Sequence, residues 1–168
     1  MSESGLDELS RKILRILERD ARTDPKQIAV MLDLPHEDVI RRIKEAEAAD
    51  ALVRHKAVVN WERAGDQFVL ALIEVKVTPQ RETGFDAIAE RIYRFPEARS
   101  VYLVSGTYDL AVQVQGRSMQ EIASFVASKL APLDGVQSTV THFMLRRYKE
   151  DGDIFVTRET AERLAVTP

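Results

Sequence analysis

The sequence predicts an α+β protein in which three short helices precede two successive strand-helix-strand units. Apolar residues recur at helical spacing as far as residue 49, and from Leu52 the pattern changes to short runs rich in β-branched residues. An internal repeat relates the two later units, whose helices both end at a proline, Pro96 in the first and Pro132 in the second. The chain is therefore expected to contain two small domains.

The three N-terminal helices are predicted from their apolar faces and their start signals. The first extends from near Leu6 to Asp20. The second begins at Asp24, which is a good N-cap, and continues with Pro25, which suits the first helical position. The third helix is expected over about Pro35 to Ala49.

The spacing of three residues in this region is typical of a helix-turn-helix. Ala29 is a small residue where two helices touch, Asp33 stands at the turn four positions later, and Val39 is an apolar residue ten positions after Ala29. Aspartate is one of the few residues besides glycine that tolerate the left-handed backbone of such a turn. The N-terminal domain is therefore predicted to be a three-helix (winged) helix-turn-helix, for which double-stranded DNA is a candidate partner.

The second half of the chain predicts a βαββαβ, ferredoxin-like sandwich with helices on one face of an antiparallel sheet. Apolar residues of the first strand alternate with Glu74 and Lys76, so the other sheet face is expected to be partly polar and otherwise covered by dimerisation. The predicted elements are a strand Phe68 to Thr78, a helix Phe85 to Phe95, a strand Arg99 to Ser105, a strand Tyr108 to Gln115, a helix Ser118 to Leu130 and a strand Val136 to Arg146.

The chain divides into four predicted segments. Residues 1–51 form the helix-turn-helix domain, residues 52–67 a linking strand and connector, residues 68–149 the sandwich, and residues 150–168 a C-terminal tail. The linking strand is expected over Leu52 to Asn60. In the tail, we expect a turn at Asp151 to Asp153, a short strand Ile154 to Val156 and a short helix Thr157 to Leu164, which together would clasp a neighbouring subunit.

Composition narrows the classes of function. The chain has no cysteine, and its three histidines have no metal-ligand spacing, so no metal or cofactor is expected. No apolar run approaches the roughly 18 to 20 residues of a membrane helix. The first residues lack the pattern of a signal peptide, so a cytoplasmic protein is expected. The net charge of −3 argues against binding nucleic acid by bulk electrostatics, and any DNA contact must be local.

Four segments in this order resemble the Lrp/AsnC (leucine-responsive/asparagine regulator) family, and the resemblance covers residues 6 to 148. They are Leu6-Asp7, Arg41-Arg42-Ile43-Lys44, Ala57-Val58-Val59-Asn60 and Ser105-Gly106-Thr107-Tyr108-Asp109. The resemblance implies a transcriptional regulator with a C-terminal RAM ligand-binding domain. It implies a small effector, usually an amino acid, and homodimers that assemble into a higher oligomer such as an octamer.

The resemblance also makes residues 35–49 the recognition helix. The DNA-binding residues that it implies are Lys26, His36, Arg41, Arg42 and Lys44. An alternative for the two arginines is a solvated helix face shared with Glu45. Arg54, His55 and Lys56 add positive charge to the linking strand, but the resemblance implies that this strand mainly pairs with its dimer mate.

The start of the recognition helix departs from the family pattern. Glu37 and Asp38 stand where family members tend to have small polar residues, and carboxylates there repel phosphates although they suit a helix N-terminus. Residues 1–60 hold 11 Lys+Arg and 12 Asp+Glu, a net charge of −1. This leaves open a ligand-sensing oligomeric module with weak or no DNA binding.

For the effector, the resemblance implies the turn between the second and third sandwich strands. The implied residues are Ser105, Gly106, Thr107, Tyr108 and Asp109, and Thr139 and Thr141 of the last strand are added because alternate residues share a sheet face. Backbone N–H groups of such a turn suit a carboxylate, and Asp109 suits an ammonium. An alternative is a plain hairpin turn with Gly106 at positive φ and Asp109 capping the backbone.

An enzyme on the same architecture is a further alternative. Some proteins that resemble this family decarboxylate haem precursors with histidine and arginine in the sandwich, and His142, Arg146 and Arg147 leave that possibility open. A lone histidine on a strand is more often structural, so a protein without catalytic activity is expected.

Overall fold

A computed structural model describes residues 5–78 and 84–156 of the chain. Two compact units divide between residues 59 and 60, inside the predicted linking segment. The predicted helix Thr157 to Leu164 lies outside the described residues. None of the helices within the described ranges is long and apolar enough to cross a membrane.

Three helices form the N-terminal unit, and side-chain caps fix where two of them begin. Asp7 accepts a hydrogen bond from Ser10 N at 2.8 Å, and Asp24 accepts one from Lys26 N at 2.7 Å, so each satisfies an N–H group that the helix itself leaves unpaired. The helices are α1 (Glu8–Arg19), α2 (Pro25–Leu32) and α3 (His36–Ala48). Their shared core consists of Ile13, Leu17, Ile28, Ala29 and Val39.

The turn between α2 and α3 has the predicted helix-turn-helix geometry. Asp33 is left-handed, with φ 53° and ψ 50°, and the N–H of Leu34 donates to the carbonyl of Ala29 at 2.9 Å. Ala29 and Val39 are both buried, so the small residue and the apolar residue meet as the spacing predicts. The sequence-based prediction of a helix-turn-helix is confirmed.

The predicted linking strand is wrong for the chain taken by itself. Residues 53–60 are neither helical nor paired with another strand among the described residues, and no β-wing follows α3. A β-strand needs a neighbouring strand for its N–H and C=O groups, and β-branched composition alone does not supply one. The predicted connector begins with a short helix, α4 (Trp61–Ala64), which Asn60 caps by accepting from Arg63 N.

The C-terminal unit has the predicted βαββαβ order. Its four strands form an antiparallel sheet in the order β2-β3-β1-β4, as in a ferredoxin-like sandwich. A π-helical turn, Val126–Leu130, continues the last helix to the predicted end. The elements are β1 (Val69–Val77), α5 (Asp86–Tyr93), β2 (Ala98–Leu103), β3 (Leu110–Gly116), α6 (Met119–Phe125) and β4 (Val136–Met144).

The two faces of this sheet differ in burial. Alternate residues of β1 point to the helices and are buried with Ile88 and Ile92 of α5 and Ile122 and Phe125 of α6. The opposite face is open, and there His142 Nε2 lies 3.1 Å from Glu74 Oε1. Exposed apolar side chains on this open face include Tyr102, Val140 and Met144. The face is therefore partly polar, as the alternation of β1 predicts.

A short hairpin follows β4 and differs in detail from the predicted turn and strand. Its strands are β5 (Lys149–Glu150) and β6 (Asp153–Ile154), and the turn consists of Asp151 and Gly152, which both have positive φ. The observed strand β6 therefore begins one residue before the predicted strand Ile154 to Val156 and ends at Ile154. Pairing with the short β5 sets its length.

Gly135, immediately before β4, combines a left-handed backbone with close packing. Its φ is +91°, and a Cβ added there would lie 2.7 Å from Ile88 Cδ1, whereas Gly65 has φ +98° and open space around it. We expect Gly135→Ala to lower the free energy of unfolding by about 1–2 kcal/mol for the backbone and by roughly 1–3 kcal/mol more for overpacking. Gly65→Ala, the control, carries only the backbone cost. Urea unfolding checks this, and equal losses in the two variants would contradict the packing term.

Candidate nucleic-acid interface and effector turn

The outward side of the helix-turn-helix presents four of the five predicted DNA-binding residues, and three of these, Lys26, His36 and Lys44, have no carboxylate partner among the described residues. Lys26 at the start of α2 and Lys44 in α3 are exposed, and His36 at the first position of α3 is half-buried. Within the described ranges, neither lysine has a carboxylate within the 4.0 Å limit of an ion pair. Both charges are therefore available to an incoming phosphate.

Arg42, in contrast, lies on the inner side of α3. Its side chain is 13% exposed, its Nε donates to Asp38 Oδ2 at 2.8 Å, and its Nη1 donates to Ser10 Oγ at 3.1 Å and to the carboxylate of Asp7. Asp7 and Ser10 belong to the N-terminal end of α1, so this guanidinium ties the first helix to the third. The geometry gives Arg42 a structural role and holds it away from a DNA groove.

Arg41 is exposed and paired within its own helix. Its Nη1 donates to Glu45 Oε1 at 2.6 Å, and its Nη2 donates to the carboxylate of Asp38. The pairing with Glu45 is the one that the solvated-face alternative predicts. About half of the side chain (53%) stays exposed, so Arg41 can still reach a phosphate if it gives up a carboxylate partner.

The arginines also change the electrostatics of Asp38, one of the two acidic residues that argue against DNA binding, and of Asp7 in the cap of α1. Hydrogen bonds from Arg42 and then Arg41 lower the pKa of Asp38 below its ordinary value. Hydrogen bonds from Arg42 and from the Ser10 N–H hold the pKa of Asp7 well below its usual range. Asp38 is therefore ionised but neutralised by arginine inside the domain, and Glu37 is the carboxylate left exposed at the start of α3.

The predicted effector turn, residues 105–109, lies between β2 and β3 and is anchored by its last residue. The N–H of Val104 donates to Asp109 O at 2.9 Å, and the N–H of Asp109 donates to Val75 O at 3.1 Å. Asp109 Oδ2 in turn accepts from Val77 N at 2.9 Å, which caps the end of β1 as the hairpin alternative predicts.

The rest of this turn is open to solvent. Ser105, Gly106 and Thr107 are exposed, and Tyr108 is half-buried. Gly106 does not have positive φ, so that part of the hairpin alternative is wrong, and a Cβ there would meet nothing within 4 Å. The backbone therefore does not require glycine here, and the small residue leaves the turn accessible.

Thr139 and Thr141 are not brought to this turn within one chain. They pair with Val75 and Ile73, so they lie half-buried on the helix-covered face. Because β1 separates β3 from β4, Thr139 is two strand spacings, about 10 Å, from Leu110. Their shared face follows from strand alternation, but the sequence did not show that this face is the covered one.

The residues of the enzymatic alternative have separate partners. His142 pairs with Glu74 on the open sheet face, Arg146 lies 5.2 Å from the ring centroid of Tyr148, and Arg147 stacks on Phe155 at 3.6 Å. Across the described part of the chain, no group of three His, Asp or Glu residues could hold a metal ion.

Comparison with known families gives a match for each unit. Residues 6–47 match the model of the AsnC-type helix-turn-helix domain, and residues 70–154 match that of the Lrp/AsnC ligand-binding domain. The chain belongs to the Lrp/AsnC family. It is a transcriptional regulator with a helix-turn-helix domain and a ligand-binding domain, as the sequence resemblance predicts.

Relatives in the Lrp/AsnC family match over nearly the whole chain. A Bacillus subtilis protein, the uncharacterized HTH-type transcriptional regulator YugG, is 45% identical over 164 residues, 97% of this chain and 99% of that protein. The regulator FL11 of Pyrococcus furiosus is 28% identical over 149 residues, 89% of this chain and 95% of its own length. Both relatives are named as transcriptional regulators.

Solved Lrp/AsnC structures share the fold. E. coli AsnC superposes with a TM-score of 0.68 at 20% identity, over 87% of this chain and 96% of its own. A Neisseria meningitidis transcriptional regulator solved as a complex with L-Met superposes with a TM-score of 0.69 at 24% identity. The match covers 87% of this chain and 94% of that protein.

Sequence reasoning missed the residues that hold Arg42. Asp38 stands one helical turn before Arg42, which is a readable pairing signal, but Asp7 is 35 residues away and is recognisable only as the cap of α1. The stacking of Arg147 on Phe155, and the bond from Asn60 Nδ2 to Phe155 O at 3.2 Å, had no signal in the sequence.

The arginine network predicts a pH dependence of the N-terminal unit. Because the folded pKa values of Asp7 and Asp38 are lowered, their contribution to stability is complete above the unfolded value of about 3.9 and is lost as pH falls through the folded values. We expect Arg42→Met to speed hydrogen exchange in α1 and α3 at neutral pH, and this difference from the parent protein to shrink in acid.

Arg22→Met is the matched control, because Arg22 forms an exposed pair with Asp20 within one loop. It should leave exchange in α1 and α3 nearly unchanged at both pH values. An Arg42→Met effect that is equally large in acid would show that packing, and not the carboxylates, accounts for it.

Proposed function

We propose that this Lrp/AsnC protein regulates transcription by placing α3 in the major groove of duplex DNA, and that a small effector bound at residues 105–109 changes that binding. The observation that carries the proposal is the fixed position of α3. The left-handed turn at Asp33 and the inward guanidinium of Arg42 set the helix, which leaves Lys44 facing outward.

The proposed DNA contacts divide by role. Lys26 near the start of α2 suits a backbone phosphate, and Lys44 and Arg41 on the exposed side of α3 suit phosphates or base edges. His36 at the start of α3 is placed at the tip of the recognition helix. Arg42 supports binding indirectly, because it orients α3.

The proposed effector is an amino acid or a derivative with a free carboxylate and ammonium. The exposed backbone of Ser105 to Thr107 offers N–H groups to a carboxylate, and Asp109 has Oδ1 available for an ammonium while Oδ2 caps β1. The L-Met complex of the Neisseria relative supports this ligand class. Thr139 and Thr141 are left with a structural role because they lie under the helices.

The proposed assembly is a homodimer that builds a higher oligomer such as an octamer. The open sheet face with exposed Tyr102, Val140 and Met144 supports burial against a second copy. Residues 53–60 lack a strand partner in the described chain, which supports pairing with the dimer mate. We infer a non-enzymatic protein that acts in the cytoplasm, and the names of its relatives as transcriptional regulators support a regulatory role.

A second candidate is a ligand-sensing module that does not bind DNA. The observation that favours it is the charge of α3, which holds three Lys/Arg and four Asp/Glu, with both arginines paired. The two candidates differ in whether the intact protein binds duplex DNA from the region upstream of its own gene.

Lys44 provides the test of the DNA interface. We expect Lys44→Gln to weaken binding to the upstream region and to reduce the slope of log affinity against log salt by about 0.9, the value of one phosphate contact. Fluorescence anisotropy at several salt concentrations measures both. Arg117→Gln, an exposed arginine of the sandwich between β3 and α6, is the control and should change neither. Absence of any binding by the parent protein at low salt, with or without effector, would favour the sensing module.

Asp109 provides the test of the effector turn. A thermal-shift screen with the twenty amino acids identifies the effector, because a ligand that binds the folded state raises the melting midpoint. We then expect Asp109→Asn to abolish that rise while keeping the unliganded midpoint close to the parent value, since the amide oxygen can still accept from Val77 N. Gln120→Glu, at an exposed position of α6, is a control for a change of charge outside the turn. An unchanged ligand response in Asp109→Asn would remove Asp109 from the site.

A further inference from the structure

The outer face of α1 carries a row of three arginines. Arg11, Arg15 and Arg19 are all exposed and stand one helical turn apart, so their side chains follow one stripe of the helix. The buried residues of the same helix, Ser10, Ile13 and Leu17, are on the opposite face. The arginine stripe therefore points away from the core that α1 shares with α2 and α3.

These three arginines, like Lys26 and Lys44, differ from four other cations of the unit that pair with carboxylates. Lys12 pairs with Glu8 and Arg22 pairs with Asp20, as Arg41 and Arg42 pair with carboxylates in α3. Within the described ranges, no carboxylate lies within ion-pair distance of any member of the stripe. Like charges one turn apart disfavour a helix, so the stripe works against the stability of α1.

Charge is thus segregated within the N-terminal unit. Helix α1 holds four Lys/Arg and two Asp/Glu, whereas α3 holds three Lys/Arg and four Asp/Glu. The near-neutral total of the first 60 residues hides this difference. Among the three helices of the unit, α1 is the most positive, and the recognition helix is slightly acidic.

We propose that the Arg11-Arg15-Arg19 stripe is a second DNA contact, which binds backbone phosphates without regard to sequence. The stripe spans about 12 Å along α1, and duplex DNA carries a charge about every 1.7 Å, so several phosphates fall within its length. The exposed residues of α1 are all charged, and a protein interface would be expected to have an apolar centre. This supports the phosphate backbone of DNA, and not another protein, as the partner of the stripe.

This inference rests on the proposed DNA-binding function. It adds a second contact, with a stretch of DNA different from the one that α3 enters. Because the stripe faces away from α2 and α3, it reaches phosphates outside the groove that α3 enters. A duplex that bends around the unit, or a second segment of the same long duplex, meets this requirement. The contact supplies affinity that the slightly acidic recognition helix does not.

The test compares two triple variants on long duplexes, one with the upstream region and one of random sequence. Arg11→Gln, Arg15→Gln and Arg19→Gln together should reduce the salt slope by roughly 2 to 3 on both duplexes, leaving the ratio of the two affinities unchanged. The matched control replaces Arg91, Arg94 and Arg99, three exposed arginines of the sandwich, with glutamine and changes the net charge equally. Hydrogen exchange in α1 verifies that the helix remains folded.

Each outcome decides the proposal. A slope that falls in the α1 variant and not in the control supports it. If the α1 variant keeps the salt slope of the parent protein under conditions in which Lys44→Gln lowers it, the stripe does not contact DNA. The proposed role of the recognition helix is then retained. Equal losses in both triple variants overturn the proposal as well, because net charge then accounts for the effect. If the parent protein binds neither duplex, the proposed DNA-binding function itself is wrong.

Discussion

The ion-pair network around Arg42 is the interaction on which the N-terminal unit depends. One guanidinium joins the cap of α1, at Asp7 and Ser10, to Asp38 in the first turn of α3. A side chain that is 13% exposed needs such partners, since an uncompensated buried charge is costly. The network therefore fixes the orientation of the helix that is proposed to enter DNA, and it also removes one carboxylate from the DNA-facing electrostatics.

The C-terminal unit is organised around β1, the central strand with a partner on each side. One face of β1 packs against two helices, and its end is closed by the carboxylate of Asp109. The same residue terminates the exposed turn of residues 105–109. A structural cap and a candidate ligand group are thus combined in one side chain, so events at the turn are connected directly to the central strand of the sheet.

Much of this architecture follows from local patterns in the sequence. Helical and alternating apolar periods, the cap at Asp24 and the left-handed residue Asp33 predict the helix-turn-helix and the βαββαβ order, because these features depend on nearby residues. Contacts between distant residues could not be read in this way. Arg41 and Arg42 are adjacent and chemically identical, but successive residues of a helix are rotated by about 100°. Arg41 is therefore exposed, whereas Arg42 points inward to Asp7, which lies 35 residues away in the sequence.

The contrast between Arg41 and Arg42 has a consequence for how such a regulator can change over evolutionary time. The residues that hold α3 in place point inward, whereas Glu37, Arg41 and Lys44 point outward and contribute little to the core. Substitutions at the outward positions can therefore change the proposed DNA contacts while the domain keeps its fold. The proposed contacts with DNA are thus separable from the stability of the domain, so one set of residues can change while the other holds the helices together.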